Sequence, residues 1–366
     1  MRFNPAVREP VILKKLYTAA GFFITLYLPK LVFILFFLLG KTLEVIINSL
    51  LRVVNLVLHN NINFIDFDVI TTFGTILSAF ILAAMVYGIL FGRFHFKVSH
   101  IKITSEDLPA AFNGIKLVHI SDIHLGSWYG KEKQMVKAVD LINNLQPDLI
   151  LFTGDLVNNF SEEVNGWVDI LGRLKARFGK YSVLGNHDYG DYWEWSDSQE
   201  KVKNQEFLAD AHRKAGFRLL INQSETISAN GYEIGIVGVE NWGKPPFMQY
   251  GDLKKAMKGM KPVPFKILLS HDPSHWLAEV FGKTNIQLTL SGHTHGMQFG
   301  IVMGKLKWSP VKYLYKQWSG LYSKKGQYLY VNQSLGSLGF PGRVGIRPEI
   351  SAISIYNQFK QNIKDK

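Results

Sequence analysis

Five short apolar runs in this chain each end in a cluster of metal-ligand residue types, and that repeated pairing is the strongest constraint on how it can fold. Residues 115–121 lead into Asp122 and His124, and residues 148–153 into Gly154 and Asp155. Residues 180–184 lead into Gly185, Asn186, His187 and Asp188, residues 265–270 into His271, and residues 286–290 into Gly292, His293 and His295. Each run has the length and composition of a buried strand. Taken singly, an Asp after a strand is usually a turn or cap, and a histidine is usually a surface or satisfied core residue. Five such clusters at the same structural position point instead to one edge of a sheet, where α/β proteins keep their sites.

Amphipathic patterns over 131–145, 162–177 and 200–215 alternate with the early strands. Further on, strands are predicted more densely, at 217–221, 232–239, 265–270, 286–290, 327–332 and 350–356, with short helices at 253–258 and 274–281. This order predicts an α/β (α+β) four-layer sandwich, with two mixed sheets face to face and helices outside. The domain is expected over residues 112–357.

The first hundred residues read differently. Residues 16–39 are almost wholly apolar, interrupted by Pro29 and Lys30, and residues 69–91 carry no charge at all. Each is long enough to cross about 30 Å of hydrocarbon as a helix. Between them, residues 41–67 have an apolar stripe with Glu44 and Arg52 off it, as expected for an amphipathic segment lying on a bilayer surface. No small-residue cleavage signature accompanies the apolar run, so it is not read as a signal peptide. Arg2, Arg8, Lys14 and Lys15 precede the first span, and Arg93, Lys97 and Lys102 follow the second. The positive-inside rule then predicts a multi-pass protein of the cytoplasmic (cell inner) membrane, with the large domain in the cytoplasm.

A net charge of +12 suits nucleic acid, anionic lipid or an acidic substrate equally. The membrane segment favours lipid, and nucleic acid is not an expected partner. The sequence leaves the oligomeric state open. It contains no cysteine, so any metal is held by nitrogen and oxygen. Seven such nitrogen and oxygen ligands at the strand ends are too many for one tetrahedral zinc but suit two adjacent ions sharing a carboxylate. Such a pair can share a hydroxide and clamp a phosphoryl group. Ligands of this kind suit Mn, Fe or Zn, as divalent or mixed-valence ions.

In their order, DxH (Asp122, His124), GDxxN (Gly154, Asp155, Asn158), GNHD (residues 185–188), the later His271 and GHxH (Gly292, His293, His295) resemble the motifs of the calcineurin-like metallophosphoesterase family. The resemblance covers about residues 112–357. It implies one ion held by Asp122, His124, Asp155 and His295, and a second by Asp155, Asn186, His271 and His293. It further implies that His187 contacts the phosphate or protonates the leaving oxygen, oriented by the carboxylate of Asp188, with Asn158 near the substrate. Met297 stands where this family often has a second glycine, which changes the loop but no ligand. Membrane-attached chains of this kind resemble bacterial phosphoesterases related to the group that includes UDP-2,3-diacylglucosamine hydrolases.

Substrate choice is expected from residues 297–326, which interleave lysines, among them Lys305 and Lys312, with aromatics including Trp308 and Tyr315. Its aromatics suit a lipid interface and its lysines lipid phosphates. Residues 191–195 (DYWEW) offer a facing wall, and Arg343 either recognises phosphate or anchors a loop. The expected activity is hydrolysis of a phosphodiester or pyrophosphate bond of a membrane-associated or nucleotide-linked lipid, with a phosphate-containing small molecule or lipid as the partner, by attack of a metal-bridging hydroxide. A membrane-tethered cyclic-nucleotide phosphodiesterase or protein phosphatase is the enzymatic alternative, and a scaffold or sensor with an inactive fold the non-enzymatic one.

Overall fold

The computed structural model describes residues 10–59, 61–303 and 306–359; Arg2, Arg8 and Lys305, named above for their charge, lie outside the described residues. The helices are α1 (Pro10–Leu58), α2 (Asp68–Leu90), α3 (Glu132–Asn144), α4 (Val168–Gly172), α5 (Ser198–Lys214) and α6 (Leu253–Met257). The strands begin with β1 (Lys97–Ser105), β2 (Ile115–Ile120), β3 (Leu149–Phe152), β4 (Lys180–Ser182), β5 (Phe217–Leu219), β6 (Gln223–Ala229) and β7 (Tyr232–Gly238). They continue with β8 (Lys266–Leu269), β9 (Leu288–Ser291), β10 (Ile301–Met303), β11 (Leu306–Trp308), β12 (Gly320–Lys324), β13 (Gln327–Val331) and β14 (Glu349–Asn357).

Two six-stranded mixed sheets carry the fold, in the orders β1-β14-β2-β3-β4-β5 and β12-β13-β9-β8-β7-β6. Strand alternation divides the apolar residues between layers. Ile115, Leu117, Leu149 and Leu151 of the first sheet meet Ile234, Ile236, Ile267 and Leu288 of the second in the central core. The intervening Val118, Ile120, Ile150 and Phe152 face outward against Met135, Val139 and Ile142 of α3 and Leu208 of α5. On the far side, Val237 and Leu268 pack against Leu253 and Ala256 of α6 and against Trp276. The four layers follow from this alternation.

Capping explains two helix starts: Asp197 accepts from Glu200 N at 2.7 Å, and Asp252 from Lys255 N at 2.8 Å. The helix predicted over 162–177 shortens to a 3₁₀ turn at Ser161–Val164 followed by α4. The reason lies in Glu163, which turns inward to accept backbone N–H bonds instead of facing solvent along a helix. The helix predicted over 274–281 is a π turn, Trp276–Val280, closed by Phe281 N donating to Trp276 O at 2.7 Å. The first sheet starts at Lys97, ahead of the expected domain start at 112, because β1 pairs in parallel with β14 along its whole length.

Helices α1 and α2 are long and apolar enough to cross a membrane, and their candidate spans are mostly unburied. α1 runs through Pro29 and on through Lys41 to Leu58, so the segment expected to lie on the bilayer surface continues the first helix instead of leaving it. Phe36 of α1 sits against Gly74 of α2, and Thr71 against Gly40. Beyond this pairing, residues 61–66 return along α1 on a side-chain ladder. Asn48 exchanges two hydrogen bonds with the backbone of Ile65 (both 2.9 Å), and Asn55 two with Ile62 (2.9 and 3.0 Å).

The other end of the helical pair docks on the α/β domain. Gly21 abuts Pro341, and Arg343 N donates to Gly88 O at 3.2 Å. A Cβ at Gly88 would lie 2.7 Å from the Arg343 carbonyl oxygen and 2.9 Å from Val344. Gly88→Ala is therefore expected to destabilise the full chain by about 1–3 kcal/mol through overpacking. Gly172→Ala, whose Cβ would meet nothing within 4 Å, should stay within about 0.5 kcal/mol of wild type. Thermal unfolding in detergent checks both.

Candidate metal centre

Strands β2, β3 and β4 run parallel in one sheet, and β8 and β9 in the other, so their carboxyl ends open at one edge. Asp122, Asp155, Asn186, His271 and His293 all follow these ends. The two sheets touch here: a side chain at Gly292 would collide with Ser121 and Asp122. Gly154, at φ 93°, likewise lets the loop after β3 lie against the backbone of Gly185.

Oxygen and nitrogen atoms of Asp122, His124, Asp155 and His295 come within 4.8 Å of one another, and all four residues are buried. His295 Nε2 stands 3.2 Å from Asp122 Oδ1 and 3.1 Å from His124 Nε2. A second group adjoins the first: His271 Nε2 lies 3.2 Å from Asp155 Oδ2 and 3.1 Å from Asn186 Oδ1. His293 Nδ1 lies 2.8 Å from that same amide oxygen. All seven sequence-predicted ligands are thus brought together, with Asp155 between the two groups.

Tautomers decide whether these residues fit a cation. His271 Nδ1 donates to Thr153 O at 2.7 Å and His124 Nδ1 to Val157 O at 3.1 Å. In the neutral rings each Nε2 then carries a lone pair, and that of His271 is aimed at two oxygens. Such a contact is repulsive unless a positive charge lies between the atoms. Burial disfavours the imidazolium of His271, yet the Asp155 carboxylate overrides this and its pKa is pushed up to about 10. A positive charge at that point is favourable, and a metal ion there would supply it by displacing the proton.

Backbone strain marks the same residues. Asp122, His124, Asp155, His293 and His295 all have φ between 50° and 70°, a left-handed conformation that persists only where the surroundings over-determine it. Asp188 supplies much of that determination. Its Oδ2 accepts from Gly185 N and Asp155 N at 2.9 and 2.8 Å, and its Oδ1 from Leu156 N and Val157 N at 2.8 and 3.2 Å. The expected Asp188–His187 bond is thereby corrected, because the carboxylate is committed to the backbone of two loops. His187 Nδ1 donates instead to the carbonyl oxygen of Asn158 at 2.6 Å.

The roles expected of Asn158 and of Trp308 and Lys312 are revised, and of the two readings of Arg343 the structure favours the loop anchor. Asn158 is fully buried, its amide donating to Ser127 Oγ at 3.1 Å, so it positions the His187 ring and is not open to a substrate. Arg343 is also buried and donates to the carbonyls of Gly336 and Gln333, which makes it a loop anchor. Trp308 lies exposed on the β10–β11 hairpin, and Lys312 holds its ammonium over the ring of Tyr313. The cleft beside the ligands, about 530 Å³, is instead lined by Trp242, Lys244, Tyr315 and Lys316 among others.

The sequence names Tyr315 only as one aromatic of the basic segment, with nothing to single it out as the one that reaches the ligands. Tyr315 places its hydroxyl 2.8 Å from His293 Nε2 and 3.5 Å from Asp272 Oδ2. Phe247 packs edge-on to His293 at 4.8 Å. Tyr192, from the expected facing wall, accepts from Asn186 Nδ2 at 2.7 Å and lies 4.8 Å from the His187 ring. Asp272 was signalled only by its place beside His271, and Phe247 carried no signal.

A two-sheet sandwich with this ligand edge defines a metal-dependent phosphoesterase class, and residues 115–297, half the chain, match the calcineurin-like phosphoesterase family. The chain belongs to that family. It is 32% identical over 260 residues to the Bacillus subtilis (strain 168) metallophosphoesterase YkuE, covering 69% of this chain and 83% of that one. Similarity to a zebrafish (Danio rerio) transmembrane protein with metallophosphoesterase domain is 31% over 287 residues, 76% of this chain but 62% of that protein's length. A UDP-2,3-diacylglucosamine pyrophosphatase of Chlamydia muridarum (strain MoPn / Nigg), LpxG, is 27% identical, covering 66% of this chain and 85% of that one.

Asp188→Asn puts an amide NH₂ against backbone donors and is expected to cost about 1.5–3 kcal/mol of stability. Bound metal per chain should fall with it, read by thermal unfolding and elemental analysis. Were Asp188 instead the partner of the His187 ring, turnover would collapse with stability and metal content unchanged. Arg343→Lys should lower stability similarly while leaving KM for any phosphoester untouched.

Proposed function

We propose that the chain is a membrane-anchored hydrolase that cleaves a phosphodiester or pyrophosphate bond in a membrane-associated or nucleotide-linked lipid. The observation that carries this reading is the place of Asp155 between two donor groups: its Oδ2 is 3.6 Å from His124 Nε2 and 3.2 Å from His271 Nε2. Asp122, His124, Asp155 and His295 would hold one divalent ion, and Asp155, Asn186, His271 and His293 a second. Mn, Fe and Zn all suit these nitrogen and oxygen donors. Bound there, such ions supply Lewis-acid charge and lower the pKa of coordinated water.

The chain's own residues do the rest. His187 is held through Nδ1 by the Asn158 carbonyl, which leaves Nε2 to carry a proton to the leaving oxygen. Burial pushes the pKa of His187 down, and the nearby Asp155 carboxylate opposes that shift. Tyr315 and Phe247 wall the His293 side. Lys244 and Lys316, both lining the adjacent cleft, would meet the negative charge of a phosphate-bearing substrate.

Support for a lipid comes from two long, largely unburied apolar helices and from the diacylglucosamine pyrophosphatase named among the relatives. With Lys14, Lys15, Arg93, Lys97 and Lys102 flanking the two spans, the catalytic domain would face the cytoplasm. Because the chain lacks cysteine, Lys203→Cys provides a unique label. An impermeant maleimide should modify it in inverted membrane vesicles and not in intact cells; labelling in intact cells reverses the topology.

The metal-loaded full chain is expected to hydrolyse bis-p-nitrophenyl phosphate and to lose activity on chelation. His187→Ala should lower kcat by about 10²–10⁴-fold with metal content intact. Absence of turnover with Mn²⁺, Fe and Zn²⁺ alike defeats the enzymatic reading. Preference for a soluble cyclic nucleotide over a lipid pyrophosphate defeats the lipid one.

A further inference from the structure

A second cleft lies where the membrane helices meet the α/β domain, and the metal centre does not use it. Its walls come from the start of α1, the chain just past α2, the loop after His124 and residues 339–341. Three cations converge on it: Lys14, Arg93 and Lys131. None of them makes an ion pair among the described residues. They lean on aromatic rings instead, with Arg93 4.7 Å and Lys131 5.9 Å from the centre of the Phe94 ring, and Lys14 5.5 Å from that of Tyr129.

Arg93 Nε is buried with no hydrogen-bond partner among the described residues. The rest of the side chain is partly exposed, but a closed-off N–H donor is normally paired, so this atom is suited to an acceptor from a ligand. The cleft holds about 40 Å³, more than one water requires, and hydroxyl-bearing Tyr17 and Ser127 line it. Beside it runs an open apolar groove of about 450 Å³ that shares Lys14, Thr18 and Tyr129 and continues over Ala19 and Phe22. Phe22 is 65% exposed on the outer side of α1. Cationic pocket and apolar groove thus form one amphipathic surface.

We propose that this surface binds an anionic phospholipid, with its phosphate among Lys14, Arg93 and Lys131 and an acyl chain along Thr18, Ala19 and Phe22. The inference rests on the membrane-spanning reading of α1 and α2 but not on turnover at the metal centre. Guanidinium and ammonium groups at a bilayer surface select anionic headgroups. The site also adjoins the catalytic loop: Ser127, in its wall, accepts from the amide of Asn158, whose carbonyl holds His187.

Native mass spectrometry of the detergent-solubilised full chain, titrated with phosphatidylglycerol, phosphatidylcholine or glycerol phosphate, tests the proposal. Phosphatidylglycerol should bind at least about tenfold tighter than phosphatidylcholine, and Arg93→Gln or Lys131→Gln should each weaken it about fivefold. The pair Lys254→Gln and Lys255→Gln, on α6, should leave it unchanged, as should His187→Ala. Equal affinity for the two lipids, or equal losses in the α6 pair, overturns the proposal; so does competition by glycerol phosphate as strong as by the whole lipid. Flotation with phosphatidylcholine liposomes separates the two readings. Arg93→Gln with Lys131→Gln must still float and melt like wild type, whereas failure of the wild-type chain to float removes the membrane reading itself.

Discussion

The carboxylate of Asp188 holds together the two loops on which the site depends. By accepting from Gly185 on its own loop and from Asp155, Leu156 and Val157 on the next, it fastens the end of β4 to the end of β3. A buried carboxylate is unfavourable unless its oxygens are paired, and here the pairing is with backbone donors that would otherwise be orphaned. Asp155 is thereby held at φ 58° with its carboxylate between two sets of ring nitrogens. Its Oδ1 in turn accepts from His187 N at 2.9 Å, so the residue set between the two groups also fixes the backbone of His187.

Glu163 repeats this device on the other side of the same loop. Its two oxygens accept from Gly126, Asn158, Asn159 and Phe160 at 2.7–3.0 Å. The loop after β3 is therefore clamped by two carboxylates, and Asn158, which holds the His187 ring, lies between them. Both acids spend their oxygens on backbone donors, and through them set where Asp155 and the His187 ring stand. Tyr17 of α1 reaches the same loop, its hydroxyl 3.4 Å from Asn159 Nδ2, so the first long apolar helix abuts the loop that holds the His187 ring.

What was legible in the sequence divides along physical lines. Ligands announce themselves by residue type, because few side chains bind metals and five strand ends carried them. Central strands such as β3 and β8 are short apolar runs, buried on both faces. β1 and β6 escaped because edge strands alternate with polar residues and resemble loop. Roles set by orientation were less accessible. His187 and Asp188 are adjacent in sequence, which suggested a bond between them, but in this turn the carboxylate faces backbone and the ring faces Asn158. Arg343 has the residue type of a phosphate binder, and only its burial among carbonyls assigns it to the loop. The contact of Tyr315 with His293 depends on the path of a long segment that local pattern does not specify.

The ladder beyond the helical pair has its own consequence. Asn48 and Asn55 stand two turns apart on one face of α1, about 10.5 Å along the axis at 1.5 Å per residue. Ile62 and Ile65 are three residues apart in a strip outside helix and sheet, and three residues at strand rise span about 10 Å. The two rises match only in this register. A single residue inserted between Ile62 and Ile65 would carry one rung past its amide and leave it empty, whereas lengthening the turn before Ile62 would leave both rungs in step. Chain-length variation in this region of the molecule should therefore collect at the turn and be excluded from the strip.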